Sequence, residues 1–246
     1  MKTIKILFIC MIASIFAYAQ ENVPPHMMGD VEVMPPKFTA VKYTADDANS
    51  LKNYIAQRFA NQTESEQVRE GTQVVQFVVN TDGTVSNIHT VNSVSPTIDN
   101  LITGILEETD YMWKPGQNNG VPVAMEKEIA IQIKVGPTST SADRRDFTEI
   151  AKGHFSKGAE KLFVDGKTKK AVRYFESAIR YKPYDQATLY MLTICELDRG
   201  NSQKAQAYID RFKKQGGNLD ILEENLAQKV KSMEAYDELS QLFANN

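Results

Sequence analysis

This sequence contains few cysteines and a single tryptophan, and it has no excess of basic residues. Its 246 residues include 2 cysteines and 1 tryptophan, too few cysteines for the disulfide framework of a small secreted domain. The 28 lysines and arginines against 31 aspartates and glutamates leave a formal net charge of −3. The sequence therefore offers no basic surface for nucleic acid or anionic lipid. Its 42% of hydrophobic residues is an ordinary globular composition.

A hydrophobic run long enough to span a membrane is also missing. Lysines precede an apolar run at 6–16, and Ala17 and Ala19 follow it with the spacing that a signal peptidase reads. This pattern predicts a secretory signal peptide over residues 1–19, cleaved before Gln20, and hence a periplasmic protein. The alternative is retention as an inner-membrane anchor. The apolar stretch is shorter than the about 20 residues that cross a bilayer, which favours cleavage.

Cleavage would leave Cys195 as the only cysteine, so that no intramolecular disulfide could form in the oxidising periplasm. Cys195 lies in a helical apolar pattern at 192–197, which is typical of a buried hydrophobic residue and not of a reactive thiol. Cys10, inside the removed segment, follows the bulky Phe8 and Ile9, which argues against lipidation.

The stretch after the signal predicts a lead-in and a small folded domain. Residues 20–45 are rich in proline and lack periodicity, as an extended lead-in does, and residues 46–135 predict the order helix, strand, strand, helix, strand. The pattern is carried by Leu51, Tyr54, Ile55 and Phe59 in the first helix, by Val75, Phe77 and Val79 in the first strand, by Ile98, Leu101, Ile102, Ile105 and Leu106 in the second helix, and by Ile129, Ile131, Ile133 and Val135 in the last strand. Asp82-Gly83 predicts a tight turn, and Thr97 can cap the second helix. Such a module buries two helices on one sheet face without a metal or cofactor.

A longer motif spans this first module. A glycine precedes V-V-x-F-V-V-x-x-D-G-x-V, and Trp113-x-Pro115-Gly116, an N-G turn and a final alternating strand follow. Over about residues 31–135 this resembles the carboxy-terminal domain of TonB, which implies a small ββαβ antiparallel sheet with two helices.

The resemblance also implies a binding mode. In that family the last strand, here 128–135, binds a partner strand by β-augmentation, in which main-chain hydrogen bonds supply the affinity. The predicted partner-binding residues are therefore Ile129, Ile131, Gln132, Ile133 and Lys134. The alternative is that this edge is covered and that its isoleucines serve the core alone.

The second half of the chain predicts an all-α domain. Residues 136–147 are polar and rich in breakers, which predicts a linker, and no strand pattern follows in 148–246. A 34-residue period relates Gly166, Ala171 and Phe175 to Gly200, Ala205 and Ile209. This resembles tetratricopeptide repeats, which implies helical hairpins followed by a capping helix. The whole chain is thus predicted to be α+β, with a TonB-like sheet domain and a helical-hairpin domain.

No group of residues in the sequence points to catalysis. His26, His89 and His154 lie far apart and lack the spacing of metal ligands. The sequence has no G-x-S-x-G motif, no P-loop and no G-x-G-x-x-G motif. We therefore expect no enzyme activity, no metal and no cofactor.

An exported chain with two modules of binding type indicates a periplasmic protein–protein interaction adaptor. Its partners would be proteins, such as an outer-membrane transporter or an envelope complex, held by the sheet edge, the helical repeats or both. Two alternatives stay open. An anchored TonB-like energy transducer would keep residues 1–19 in the inner membrane and act on outer-membrane transporters. A cell-envelope structural protein would use the free mature chain.

Overall fold

The chain consists of two compact units, Met1–Ala142 and Asp143–Asn246. A computed structural model describes residues 8–12, 32–39, 47–62, 69–134, 146–218 and 221–244, with 8–12, 47–50, 61–62 and 243–244 described by their backbone alone. The predicted cleavage site before Gln20, the lead-in up to residue 31 and the linker up to residue 145 lie outside the described residues. The predicted α+β class is confirmed, because the first unit combines strands with helices and the described part of the second is helical.

The first unit contains two helices and nine strands among its described residues. The helices are α1 (Asp47–Gln62) and α2 (Pro96–Glu107). The strands are β1 (Phe8–Ile12), β2 (Val33–Met34), β3 (Lys37–Phe38), β4 (Gly71–Val79), β5 (Val85–Asn92), β6 (Trp113–Lys114), β7 (Gly116–Asn118), β8 (Val121–Val123) and β9 (Met125–Lys134).

The main sheet has the strand order β1-β9-β4-β5, and all neighbours in it are antiparallel. Strands β4 and β9 pair without interruption, from Gly71 opposite Ile133 to Val79 opposite Met125. Two small ladders, β2-β7-β8 and β3-β6, connect the chain before α1 to the segment that follows α2.

One face of the main sheet carries both helices, as expected. The core between them contains Leu51, Tyr54, Ile55 and Phe59 of α1, Ile98, Ile102, Ile105 and Leu106 of α2, and Val75, Phe77, Val79, Ile129, Ile131 and Ile133 of the sheet. Helix α2 begins at Pro96, and Ser95 caps it by accepting a hydrogen bond from the backbone N–H of Ile98 at 3.4 Å. The cap expected at Thr97 is therefore wrong. Pro96 has no N–H and a φ already suited to the first helical position, which places the cap one residue before it.

The end of the lead-in belongs to this core, although the sequence pattern places the start of the domain at residue 46. Phe38 is 4% exposed, and its ring centroid lies 5.5 Å from that of Tyr54 and 5.2 Å from that of Trp113. Strand β3 holds it there by pairing with β6. A single buried aromatic residue in a two-residue strand has no periodicity, so the pattern of the sequence does not reveal it.

The turn between β4 and β5 packs against the segment that follows α2. Gly83 has φ +85°, and a Cβ atom added to it would lie 2.7 Å from the carbonyl oxygen of Trp113. The backbone N–H of Tyr111 donates to the carbonyl of Gly83 at 2.9 Å, and that of Val85 donates to Asp110 Oδ1 at 2.7 Å. The turn therefore needs glycine both for its left-handed backbone and for the close approach.

The second unit contains six helices among its described residues. They are α3 (Phe147–Phe163), α4 (Thr168–Tyr181), α5 (Gln186–Asp198), α6 (Ser202–Lys214), α7 (Glu224–Lys231) and α8 (Tyr236–Ala244). Helices α3 and α4 pack as one hairpin and α5 and α6 as another, and α4 packs on α5.

Helix α5 is the centre of this unit. All ten of its residues from position 188 to 197 are buried, because α4, α6 and α8 pack around it. Leu239 of α8 is fully buried in the same core, and Lys213 Nζ of α6 donates to the carbonyl of Leu242 at 2.5 Å. The C-terminal helix thus completes the core of the hairpins.

Candidate partner-binding edge

The five residues predicted to bind a partner lie on β9. Ile129, Ile131 and Ile133 are 1%, 0% and 0% exposed and contribute their side chains to the core beneath the helices. Gln132 and Lys134 alternate with them and are half-buried on the opposite face. What β9 can offer a partner is therefore its backbone, together with the two side chains on the outer face.

The inner side of β9 is held by a regular ladder. Every residue from Met125 to Ile133 has a partner on β4, with no bulge between them. A strand held so regularly keeps its N–H and C=O groups on the far side in a regular row, which is the geometry that an added strand needs.

The outer side of β9 carries a strand from the same chain. Phe8 lies opposite Lys134 and Ile12 opposite Ala130 in an antiparallel register, with Cys10 opposite Gln132 at its centre. Ile129 lies beyond the end of this pairing. Residues 8–12 belong to the predicted signal peptide, and their sequence predicts no strand, because an uninterrupted apolar run has no alternation.

The other end of the sheet is irregular. Strand β5 shifts register against β4 between Val74 and Val75 and again between Gln76 and Val78. Asn87 on β5 has φ +51°, a left-handed conformation. Bulges and local twists of this kind disturb the row of backbone groups at an edge and disfavour the addition of another strand.

The Trp-x-Pro-Gly motif fixes the start of β9. Trp113 Nε1 donates to Thr109 Oγ1 at 2.9 Å, so the buried indole N–H is satisfied. Lys127 Nζ lies 5.5 Å from the indole centroid and donates to the carbonyl of Pro36 at 3.1 Å. The motif therefore links the lead-in to β9 through one lysine, and its tryptophan is a core residue.

A polar network around the buried Gln73 fixes α2 on the sheet. Gln73 of β4 is buried and donates from Nε2 to Asp99 Oδ1 at 2.7 Å, while its Oε1 accepts from the backbone N–H of Val94 at 2.9 Å. Ser93 Oγ donates to the other carboxylate oxygen of Asp99 at 2.7 Å. The sequence pattern does not reveal this network, because a glutamine within a strand carries no signal of burial.

Among the described residues, the histidines and the cysteine form no cluster that could hold a metal ion. His89 is exposed, with Nδ1 at 3.1 Å from the carbonyl oxygen of Asn87, whereas His154 lies in the second unit and His26 lies outside the described residues. Cys195 is buried, and desolvation raises the pKa of its thiol, which disfavours the reactive thiolate. In the described part of the chain, no group of three or more histidine, cysteine, aspartate or glutamate residues is placed to hold a metal ion.

No protein-family model matches the chain, and no curated protein matches it. Among the helices of the described residues, none combines the length and the apolar character needed to cross a membrane.

Proposed function

We propose that the chain is a periplasmic protein–protein interaction adaptor that binds an extended segment of its partner by strand addition to β9. The observation that carries the proposal is the pairing of β1 with β9, in which each of the five residues Phe8–Ile12 has a partner from Ala130 to Lys134. The outer edge of β9 accepts a strand in continuous register. This is the geometry of β-augmentation.

The contrast between the two ends of the sheet supports β9 as the binding edge. Strand β9 is straight in its pairing with β4, whereas β5 is bulged twice and contains the left-handed Asn87. Proteins protect exposed edges with such bulges, because an open regular edge pairs with other chains. One end of the sheet is thus protected and the other suits a partner.

The helical unit supplies the second part of the proposed adaptor, a hairpin scaffold of tetratricopeptide type. Positions 34 residues apart share their environment, which supports this assignment. Gly166 and Gly200 are both left-handed, with φ of +63° and +71°. Ala171 and Ala205 are both fully buried, as are Phe175 and Ile209. Because α8 completes the core around α5, we assign strand binding to the sheet and a scaffold role to the helices.

Site-specific photocross-linking in cells tests the proposal. A photoreactive amino acid at Gln132 should form covalent adducts with an envelope protein, and the same group at Asn87 on the protected edge is the matched control. Adducts at Asn87 alone, or equal adducts at both positions, would contradict binding at β9.

Proline substitution tests whether the backbone of β9 binds the partner. Successive N–H groups of a strand point to opposite edges, so that Ile131→Pro and Gln132→Pro between them remove one donor from each side of β9. The variant that loses the outer donor should stay folded and keep the native fluorescence of the buried Trp113. This variant should lose the adducts. Adducts that persist in a folded variant with the outer donor removed would overturn the proposal.

A further inference from the structure

The strand that pairs with β9 comes from the segment that the sequence predicts to be removed. Residues 8–12 occupy the outer edge from Ala130 to Lys134, which includes four of the five residues predicted to bind a partner. Cleavage before Gln20 would separate this strand from the rest of the chain. Residues 130–134 of β9 would therefore be paired with β1 in the full-length chain and form an edge in the shortened one.

We propose that Phe8–Ile12 is a placeholder that closes the partner-binding edge of β9 until the N-terminal segment is removed. This inference rests on the proposed strand addition and adds to it the occupant of the edge before cleavage. The sheet order β1-β9-β4-β5 makes β9 internal while β1 is in place. Among the strands that the structure describes, removing β1 leaves β9 paired with β4 alone, so that cleavage creates the binding edge.

Covalent connection is what allows so short a strand to hold its place. A strand that belongs to the same chain as its binding edge has an effective concentration of up to the millimolar range, whereas a released peptide is present at the concentration of the protein itself. At micromolar protein, cutting the connection lowers the competing concentration of the placeholder about a thousandfold. The apparent affinity of the edge for a partner strand, whose intrinsic affinity is unchanged, then rises by the same factor.

The register also indicates what kind of partner strand fits the edge. Ile9 lies opposite Ile133 and Met11 opposite Ile131, and directly opposite residues of an antiparallel pair lie on the same face of a sheet. The isoleucines of β9 face the core. The partner that replaces β1 should therefore be antiparallel to β9, with apolar residues at two alternate positions, and free of charge at those positions.

A disulfide test of the register uses the full-length chain. Gln132→Cys places a thiol opposite native Cys10, at the separation of about 4.5–5.5 Å between Cβ atoms that opposite residues show. The matched control is Glu128→Cys, on the same strand and four residues away, beyond the end of β1. Native Cys195 is buried and does not compete.

In the dilute, purified full-length protein under a mild oxidant, Gln132→Cys should form the 10–132 disulfide at least tenfold faster than Glu128→Cys forms its own. Peptide mapping by mass spectrometry identifies the bond and shows that it is intramolecular. Equal rates in the two variants, or no bond in Gln132→Cys, would overturn the placeholder.

Comparison of cleaved and uncleaved chains separates this inference from the proposed function. Ala19→Leu replaces the small residue at the predicted cleavage site and should keep residues 1–19 attached. Photocross-linking at Gln132 should then fall at least tenfold relative to the cleaved chain. Equal adducts in both chains would contradict the placeholder alone, whereas a 10–132 disulfide without adducts in the cleaved chain would contradict strand addition itself.

Discussion

At the scale of single residues, Glu196 is the most heavily partnered buried charge described in the helical unit. It is 0% exposed, and both of its carboxylate oxygens accept from Arg199 Nη1 at 2.9 Å. Asn201 Nδ2 donates to it at 2.6 Å, and the backbone N–H of Asn201 donates to its carbonyl at 2.8 Å. One side chain thus joins the end of α5 to the start of α6.

Glu196→Ala should lower the free energy of unfolding of the helical unit by about 2–4 kcal/mol. The substitution removes the charge-assisted hydrogen bonds that a fully buried carboxylate accepts from Arg199 and Asn201. Glu149→Ala is the control, because Glu149 pairs with Lys152 at the same i,i+3 spacing while both side chains are 69% exposed. Such an exposed pair contributes about 0–1 kcal/mol. Urea denaturation followed by circular dichroism measures the free energy of unfolding of both variants. Equal decreases in the two variants would contradict a special contribution of the buried Glu196.

His154 gives the helical unit a dependence on pH. Its ring stacks on that of Tyr181, with centroids 5.9 Å apart and an interplanar angle of 11°, and lies 6.4 Å from that of Tyr174. Within the described residues, its Nδ1 has no hydrogen-bond partner. Burial lowers the pKa of His154, and the charges of Arg180 and Lys157 lower it further. The folded chain therefore favours the neutral ring.

Because the pKa is lower in the folded state, the unfolded chain takes up a proton more readily once the pH falls below about 6.5. The contribution of His154 to stability is complete above that pH and is lost as the pH falls through the folded pKa. We expect the urea midpoint of the helical unit to fall between pH 7.5 and pH 5.5, and to fall less in His154→Gln. His89→Gln, in the other unit, should retain the full decrease; an unchanged decrease in His154→Gln would contradict the assignment.

At the scale of whole elements, the position of α8 decides whether α5 is accessible. Leu239 is fully buried against the core around α5, whereas Leu242 of the same helix is only partly buried. Leu239→Asp should release α8, because an unpaired charge in that core costs more than a short helix gains by docking. Hydrogen exchange at the amides of α5 should accelerate by at least tenfold. Leu242→Asp is the control and should have a smaller effect, and protection of α5 that survives Leu239→Asp would show that α8 is not its cover.

The elements with a strong period could be predicted from the sequence, and those without one could not. Leucine and isoleucine at helical spacing predict α1 and α2, and strict alternation from Ile129 predicts β9. The boundaries differ from those that the pattern predicts. Strand β4 begins at Gly71, where the pattern predicts a break, and β9 begins four residues before Ile129. Gly71 has φ 159°, an extended conformation that belongs to an ordinary strand.

The candidate site could be predicted only in part. Alternation places Ile131 and Ile133 on one face, and the core position of their side chains is confirmed. The binding role of the β9 backbone stays a prediction. What covers the outer edge could not be foreseen, because strand pairing joins residues more than a hundred positions apart and the apolar run 6–16 has the pattern of a signal peptide. Long-range strand pairing depends on tertiary structure, which local periodicity does not predict.

At the scale of the whole molecule, two separate cores hold the chain. Among the described residues, the core of the sheet unit and the core of the helical unit share no member. Trp113 is the single tryptophan of the sequence and is buried in the first core. Its fluorescence therefore reports on the sheet unit, while hydrogen exchange of α5 reports on the helical unit.

We expect destabilising substitutions to act on one unit at a time. Gly83→Ala should lower the stability of the sheet unit by about 2 kcal/mol or more, because alanine is strained at φ +85° and its Cβ would meet the Trp113 carbonyl oxygen. The Trp113 transition should move, and the exchange of α5 under denaturant should not. Glu196→Ala should do the reverse. A shift of both signals by either substitution would show that the two cores unfold as one.

The unequal ends of the main sheet limit what the protein can build from itself. A sheet with two regular edges can take a strand at each end and continue without limit, as fibres do. Here the bulges of β5 and the left-handed Asn87 would leave β9 as the one regular end among the described strands of the main sheet in a chain that had lost β1. Growth through backbone pairing must then stop after one addition. Two such copies would meet at their β9 edges and form a closed pair, and the described strands of the main sheet would offer a third copy no regular edge on which to extend it into a filament.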